Sequence, residues 1–383
     1  MPEPQGAQAP TPSTFARVGL LVYGLLIVYA SWFPFIGWRN SGLSPFDYVL
    51  APLPHYWTKF DLITNIIAYV PLGMLLMFAL YPRVRGIAAM LVATVAGIGI
   101  SALMEAGQTF LPSRVPSNLD LIGNSAGIVI GVLAGLALTP TFLQESRFLL
   151  LRQHWFSHDA GRGLMVISLW PLAQVYPQAY LFGHGQIVPI LSDWLSAWLT
   201  TPIDLGALIR GGYEPTVEQY WLSEAVITAC GLTGAVLTLL CMLRIKAPRG
   251  ILVMILIGAA FAIKTLTTAL LYEPENAFAW LTPGAQGGIL LGLVMLTGLL
   301  FARKVAQRRV AGLMLLIGLF VVNIVPDNPY FIATLQTWVQ GKFLSFNGAA
   351  QMLSLAWPFI TFWYLWHPAH RTQRPATRAE RGV

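Results

Sequence analysis

Apolar residues run through this chain in long stretches, broken at intervals by short clusters of Arg, Pro, Gly and Trp. A helix that crosses a bilayer needs roughly 20 apolar residues, because the hydrocarbon core is about 30 Å thick and each helical residue rises about 1.5 Å. Ten stretches reach or approach that length: residues 15–35, 62–81, 86–108, 119–138, 161–182, 221–243, 250–271, 284–302, 309–325 and 350–366. The pattern predicts an all-α fold, a polytopic transmembrane helical bundle of about ten spans. Residues 1–14 read as a polar, disordered N-terminal tail, 367–383 as a basic cytoplasmic tail, and 141–160 as a charged, amphipathic cytoplasmic linker. The linker divides a unit of four spans, residues 15–140, from a unit of six, residues 161–366.

Charge decides the orientation. With the N-terminus in the cytoplasm, 17 of the 23 Lys and Arg fall on inner segments and six on outer ones, and every inner loop is basic. That distribution follows the positive-inside rule and puts the C-terminus inside as well. The formal charge of +7 is therefore topology-setting, and no nucleic-acid partner is expected. Only 10% of residues are charged, far below the usual quarter of a soluble domain, so the main solvent is lipid. The outer connections 36–60, 183–220 and 326–349 are long and rich in aromatic residues and Pro. In the second of them Leu191, Trp194, Leu195 and Trp198 form one stripe of a short helix lying in the interface, and the segment around Trp338 reads the same way. Cys230 and Cys241 share one apolar run and read as buried hydrophobes.

Candidate chemistry concentrates in the first four spans. Asp61 and Asn65 are four residues apart, Glu105 and Gln108 three, Asp120 and Asn124 four, so each pair shares a helix face. Arg114 lies in the short turn between the third and fourth spans. With the expected orientation all of these groups gather at the outer side. Gly123, Gly127, Gly131 and Gly135 form a ladder that lets another helix backbone approach, while Pro71 bends the second span and Gly73 gives room there. Two readings compete: an Arg–carboxylate network that ties three helices, or a polar pocket open to the outside. In the pocket reading Arg114 binds a phosphate or carboxylate. Asn65, Gln108 and Asn124 bond sugar or amide groups, and Glu105 and Asp120 orient Arg114 or act as an acid/base pair.

The order D-x3-N, P-x-G, E-x2-Q, R, then D-x3-N-x2-G, over roughly residues 60–135, resembles the VanZ-like family of bacterial membrane proteins. The resemblance implies a multi-pass protein of the bacterial cytoplasmic membrane. The family's namesake is associated with low-level resistance to teicoplanin, and related domains with surface-polysaccharide machinery. One departure stands out: many members carry a further acid between the Arg and the Asp, where this chain has Ser117 and Asn118. The resemblance supplies no reaction, so whether the protein is an enzyme stays open, with Glu105 and Asp120 as the catalytic candidates.

The expected function is recognition or processing of an amphiphilic envelope component: a lipid-linked glycan, a lipid headgroup or a lipoglycopeptide. One alternative is a proton-coupled transporter or flippase with Glu105 and Lys264 as relays. Another is a scaffold for polysaccharide-assembly proteins. In the second half, Gln174 lies between Pro171 and Pro177 in a span expected to kink. Lys264 either snorkels or pairs with Glu224 or with a carboxylate of the first unit. Asn323 and Asp327 close the ninth span, Gln351 opens the tenth, and Glu273 and Glu275 form a solvated turn. No metal or cofactor is expected. His55 and His184 are single loop histidines, and no HExxH, GxSxG or Walker motif occurs.

Overall fold

The computed structural model describes residues 13–33, 35, 37–40, 42, 44–140, 142, 154–157, 160–213, 215–272, 274–326 and 344–367. Their regular structure is helical, apart from one isolated bridge between Phe156 and Leu243. The chain divides into two compact units, Met1–Gln153 and His154–Val383. The tails, most of the 141–160 linker, Trp338, Asp327 and Glu273 lie outside the described residues.

The first unit contains α1 (Thr14–Trp32), α2 (Asp47–Leu50), α3 (Lys59–Leu80), α4 (Gly86–Gln108) and α5 (Asn118–Thr139). Its closest helix pair is α3 with α5, and the glycine ladder is the cause. A Cβ at Gly127 would overlap the Ile66 carbonyl oxygen, and one at Gly131 the Val70 carbonyl oxygen. Gly73 reciprocates, facing the Ile128 carbonyl. Backbone meets backbone, as small residues permit in lipid, where packing rather than hydrophobicity joins helices. Pro71 lies inside α3, which runs unbroken from Lys59 to Leu80. Leu72, Ala93, Ile128 and Val132 fill the core of the unit. Ile67, Leu91, Val95, Leu103 and Ile130 point outward and are exposed. Helices that turn amides and acids inward and large apolar residues outward are built for lipid.

The second unit contains α6 (Ala160–Ala173), α7 (Ile187–Leu199), α8 (Leu205–Arg210), α9 (Val217–Leu240), α10 (Arg249–Tyr272), α11 (Pro283–Leu299), α12 (Lys304–Ile324) and α13 (Leu344–Trp366). Its axis is α9, in which every residue from Ile227 to Leu240 is buried, with α11 and α12 against it. A second ladder, Gly284, Gly288 and Gly292, carries α11 onto α9: a Cβ at Gly288 would lie 2.6 Å from the Ala225 carbonyl oxygen. Trp170, Phe182 and Trp357 form an aromatic cluster beside it. Cys230 and Cys241 are buried free thiols.

Among the described residues six helices are long and apolar enough to cross a membrane, namely α3, α4, α5, α9, α10 and α12. The helices of the first, fifth and eighth stretches are apolar but shorter. The fifth departs most from expectation. It stops at Ala173 instead of kinking and continuing to residue 182. Pro171 lies in its last turn, and the chain leaves through tight turns, Gln174 N–H to Pro171 O and Val175 N–H to Leu172 O, both 3.1 Å. A second proline at 177 and buried amide side chains then hold residues 174–186 as non-helical backbone inside the protein. Irregular backbone is tolerated at such a place only when protein surrounds it.

Candidate functional site

The polar residues of the first unit collect at one end, where α3 and α5 begin and α1 and α4 finish. Local rules place two of the three acids. Thr58 caps α3 and accepts from Asp61 N–H at 3.0 Å, and Ser117 caps α5 and accepts from Asp120 N–H at 3.4 Å. Each aspartate is thus the third residue of its helix, where a carboxylate faces the positive end of the helix dipole. The signatures T-x-x-D and S-x-x-D were visible in the chain. Asp61 is exposed and its Oδ2 also accepts from Thr58 Oγ1 at 2.7 Å. Asp120 accepts from Asn65 Nδ2 at 2.8 Å, which joins α3 to α5.

Glu105 has no such local reason. It lies in the last turn of α4 and is only 3% exposed. Its Oε2 accepts from the Ser117 backbone N–H at 3.0 Å. In a capping box the helix's own third residue reaches back to that N–H. Here the neighbouring helix supplies the acceptor. The other carboxylate oxygen makes no hydrogen bond among the described residues. Asp120 and Arg114 both act electrostatically on Glu105, and Asp61 acts on Asp120, so the four charged groups form one neighbourhood. One turn deeper, Asn124 Nδ2 donates to Ser101 Oγ at 3.0 Å, and the buried Asn124 Oδ1 has no partner among the described residues. The half-buried Gln108 side chain makes no hydrogen bond among the described residues.

Arg114 has a task that sequence did not show. Nε and Nη2 donate to the Phe33 carbonyl at 3.2 and 3.0 Å, and Nη2 donates to the Ala30 carbonyl at 3.3 Å. The guanidinium therefore ties the C-terminal end of α1, where carbonyls lack helical partners, to the site. Burial pushes its pKa below the usual arginine value, and the Glu105 charge opposes that shift. Trp32 Nε1 donates to the Met104 carbonyl at 3.0 Å, in space left by Gly107. Tyr48 covers the same region through its hydroxyl, 3.2 Å from the Ala102 carbonyl. Burial, with the Glu105 charge adding, raises the Tyr48 phenol above its ordinary pKa. Asn118 Nδ2 donates to the Ala51 carbonyl at 2.6 Å. A carboxylate has no hydrogen to give that carbonyl, so the amide in place of an acid has a physical use. Trp32, Tyr48 and Ser101 were missed because their partners are distant in sequence and mostly backbone.

In the second unit Lys264 and Glu224 do not pair. Lys264 is buried, and its ammonium donates to the Tyr176 carbonyl at 3.4 Å and to no other described group. Glu224 Oε1 accepts from Thr282 Oγ1 at 2.5 Å, and its buried Oε2 has no partner among the described residues. They stand on α9 and α10, whose helices each turn toward other neighbours. A buried cation held by one carbonyl is a cost to folding. Lys264→Met should therefore keep or raise the melting temperature, by an amount equivalent to about 1 kcal/mol. A fall of several degrees on thermal unfolding would mean that the ammonium answers an anion.

His184 is 5% exposed, not a solvated loop residue. Gln174 Nε2 donates to the Trp170 carbonyl at 3.0 Å and lies 2.7 Å from His184 Nε2. That ring nitrogen must then accept, which leaves the proton on Nδ1 of a neutral ring. Nδ1 lies 3.1 Å from Ser354 Oγ and 2.8 Å from the Gln178 amide, whose oxygen is the group suited to face it. The imidazole thus pins residues 174–186 to α13. His55 is exposed, and no cluster of metal-binding side chains occurs among the described residues.

Lipid-facing apolar helices around a polar, partly buried end define a multi-pass helical membrane protein. Residues 20–139 match the family model described as VanZ/LLP1, so the first unit is VanZ-like, in agreement with the motif order in the sequence. The match spans the five helices just described and leaves the second unit outside it. No curated protein and no solved structure matches the chain.

Proposed function

We propose that the first unit recognises the polar head of an amphiphilic envelope component at the outer leaflet of the bacterial cytoplasmic membrane. The proposal includes ten spans with both termini in the cytoplasm, supported by the excess of Lys and Arg on the inner segments. One observation carries it: Glu105 is only 3% exposed, yet one of its carboxylate oxygens has no hydrogen-bond partner among the described residues, and it shares a neighbourhood with Asp120, Asp61 and Arg114. A structural network would close such valences. A binding site leaves them for a ligand, together with the Gln108 amide and Asn124 Oδ1, which have no partner among the described residues. Arg114 is a positioning residue in this reading, since α1 takes its hydrogen bonds.

The test is mass spectrometry of the lipids that co-purify with the full chain. Glu105→Gln keeps an acceptor for the Ser117 N–H and removes the charge, so the fold should persist. A charge-assisted hydrogen bond is roughly twice as strong as a neutral one, so retention of the specific lipid should fall about tenfold. Asp120→Asn, which keeps the bond from Asn65, should act in the same direction. An unchanged lipid complement in both variants would leave a scaffold for assembly partners as the better reading.

A further inference from the structure

A cleft of about 270 Å³ opens between α7, α8 and the end of α12. Its polar lining is Ser192, Asp193, Asp204, Arg210 and Asn323, and the rest is Val, Ile, Pro and Gly. The walls are fixed in advance. Ser196 Oγ accepts from Ile203 N–H at 2.8 Å and Ser192 Oγ accepts from Leu205 N–H at 3.0 Å, which locks α7 to α8. Asn323 Oδ1 accepts from the N–H groups of Ile187 and Val188 at 2.7 and 2.9 Å, which fixes both helices to α12.

The charges in the cleft satisfy one another only in part. Arg210 Nη1 donates to the Ile324 carbonyl at 2.9 Å, and Nη2 stands 3.9 Å from Asp204 Oδ2. A guanidinium has five N–H groups, so most remain available to an anion. Asp204 Oδ1 caps α8 at Ala207 N–H, 3.0 Å, and Asp193 has no partner among the described residues. One guanidinium and two carboxylates in one recess match a ligand that carries a phosphate and an ammonium together. The lining contains no aromatic ring. A quaternary ammonium has no N–H for the carboxylates and prefers aromatic faces, so the fitting cation is a primary ammonium.

The surroundings identify the source. The two helices that line the cleft carry Trp194, Trp198, Leu208 and Ile209, exposed by 64, 81, 71 and 57%. Trp beside charged groups on a short helix is the composition of a membrane–water interface. We propose that this cleft binds the headgroup of an aminophospholipid of the phosphatidylethanolamine type. Its phosphate lies on Arg210, its ammonium between Asp193 and Asp204, and its acyl chains run down past the tryptophans. The site lies in the second unit and does not depend on the function proposed for the first.

The experiment is native mass spectrometry of the full-length protein in detergent, titrated with phosphatidylethanolamine, phosphatidylglycerol and phosphatidylcholine of identical acyl chains. The amine lipid should bind about tenfold tighter than the other two, the worth of one well-made charge-assisted contact. Arg210→Gln should weaken it about as much. Because Arg210 also holds Ile324, Asp193→Asn serves as the second variant: no bond of the fold depends on it among the described residues, and it should clearly reduce the preference for the primary amine over choline. Free phosphoethanolamine should fail to displace the lipid, since it has no acyl chains to bury against the exposed Trp194 and Trp198 beside the cleft. Equal binding of the three lipids would overturn the proposal. So would a preference untouched by Asp193→Asn, or full displacement by the soluble headgroup.

Discussion

Leucine at Gly131 is expected to prevent the first unit from folding. A Cβ there already overlaps the Val70 carbonyl oxygen and lies 2.9 Å from the Val70 carbonyl carbon and 3.0 Å from Met74 N. All three are backbone atoms, so no rotamer change relieves them. Overpacking a core whose side chains can shift costs about 1–3 kcal/mol, and a contact that forces two helix backbones apart should exceed that. Parting α3 from α5 would also break the Asn65–Asp120 bond and open the core around Leu72, Ile128 and Val132. Alanine at 131 should lower the melting temperature, and leucine should leave no monodisperse protein on size-exclusion chromatography. Gly99→Leu is the control, because nothing lies within 4 Å of a Cβ there. A Gly131→Leu protein that melts with the wild type would show that the ladder does not hold the unit together.

That ladder was legible because its meaning is local: one glycine every fourth residue can only mean a smooth helix face. The same logic exposes Gly284, Gly288 and Gly292, which the sequence reading passed over. The order of acids and amides in the first unit was legible for the same reason, since spacings of three and four survive in any helix. Spacing does not tell which bonds those groups make. Asp61 and Asp120 stood out as site residues, yet both also serve helix N-termini through Thr58 and Ser117. The partners of Arg114 could not be read, because they include the carbonyls of Ala30 and Phe33, and every residue has a carbonyl. His184 does lie on non-helical backbone, but its burial is not legible in the sequence, because its hydroxyl partner, Ser354, is 170 positions away. Lys264 and Glu224 invited pairing because opposite charges in lipid need partners. The structure gives each a neutral oxygen instead, from Tyr176 and Thr282. Sequence therefore carried the elements and their faces, while identities of partners came from packing between distant helices.

Asn323→Ala is expected to cost about 2–4 kcal/mol, the net worth of several hydrogen bonds and a helix cap. The side chain makes four bonds: Oδ1 accepts from Ile187 and Val188 N–H, and Nδ2 donates to the Gly185 and Leu319 carbonyls at 2.9 and 2.8 Å. The first two cap α7, whose own preceding residue, Gln186, provides no side-chain cap. Alanine leaves those N–H groups and the Gly185 carbonyl without this partner. Aspartate should be intermediate: it still accepts both α7 N–H groups, and its charge suits a helix N-terminus, but it cannot donate to the two carbonyls. Hydrogen exchange supplies the local readout. Amides at the start of α7 should exchange faster in Asn323→Ala, and those in the middle of α9 should not. Since α7 carries Asp193 and the exposed tryptophans, the alanine variant should also lose preference for the amine lipid with Arg210 and Asp193 intact. A lower melting temperature with unaltered exchange in α7 would confine Asn323 to a role within α12, and the cleft would then owe its shape to other contacts.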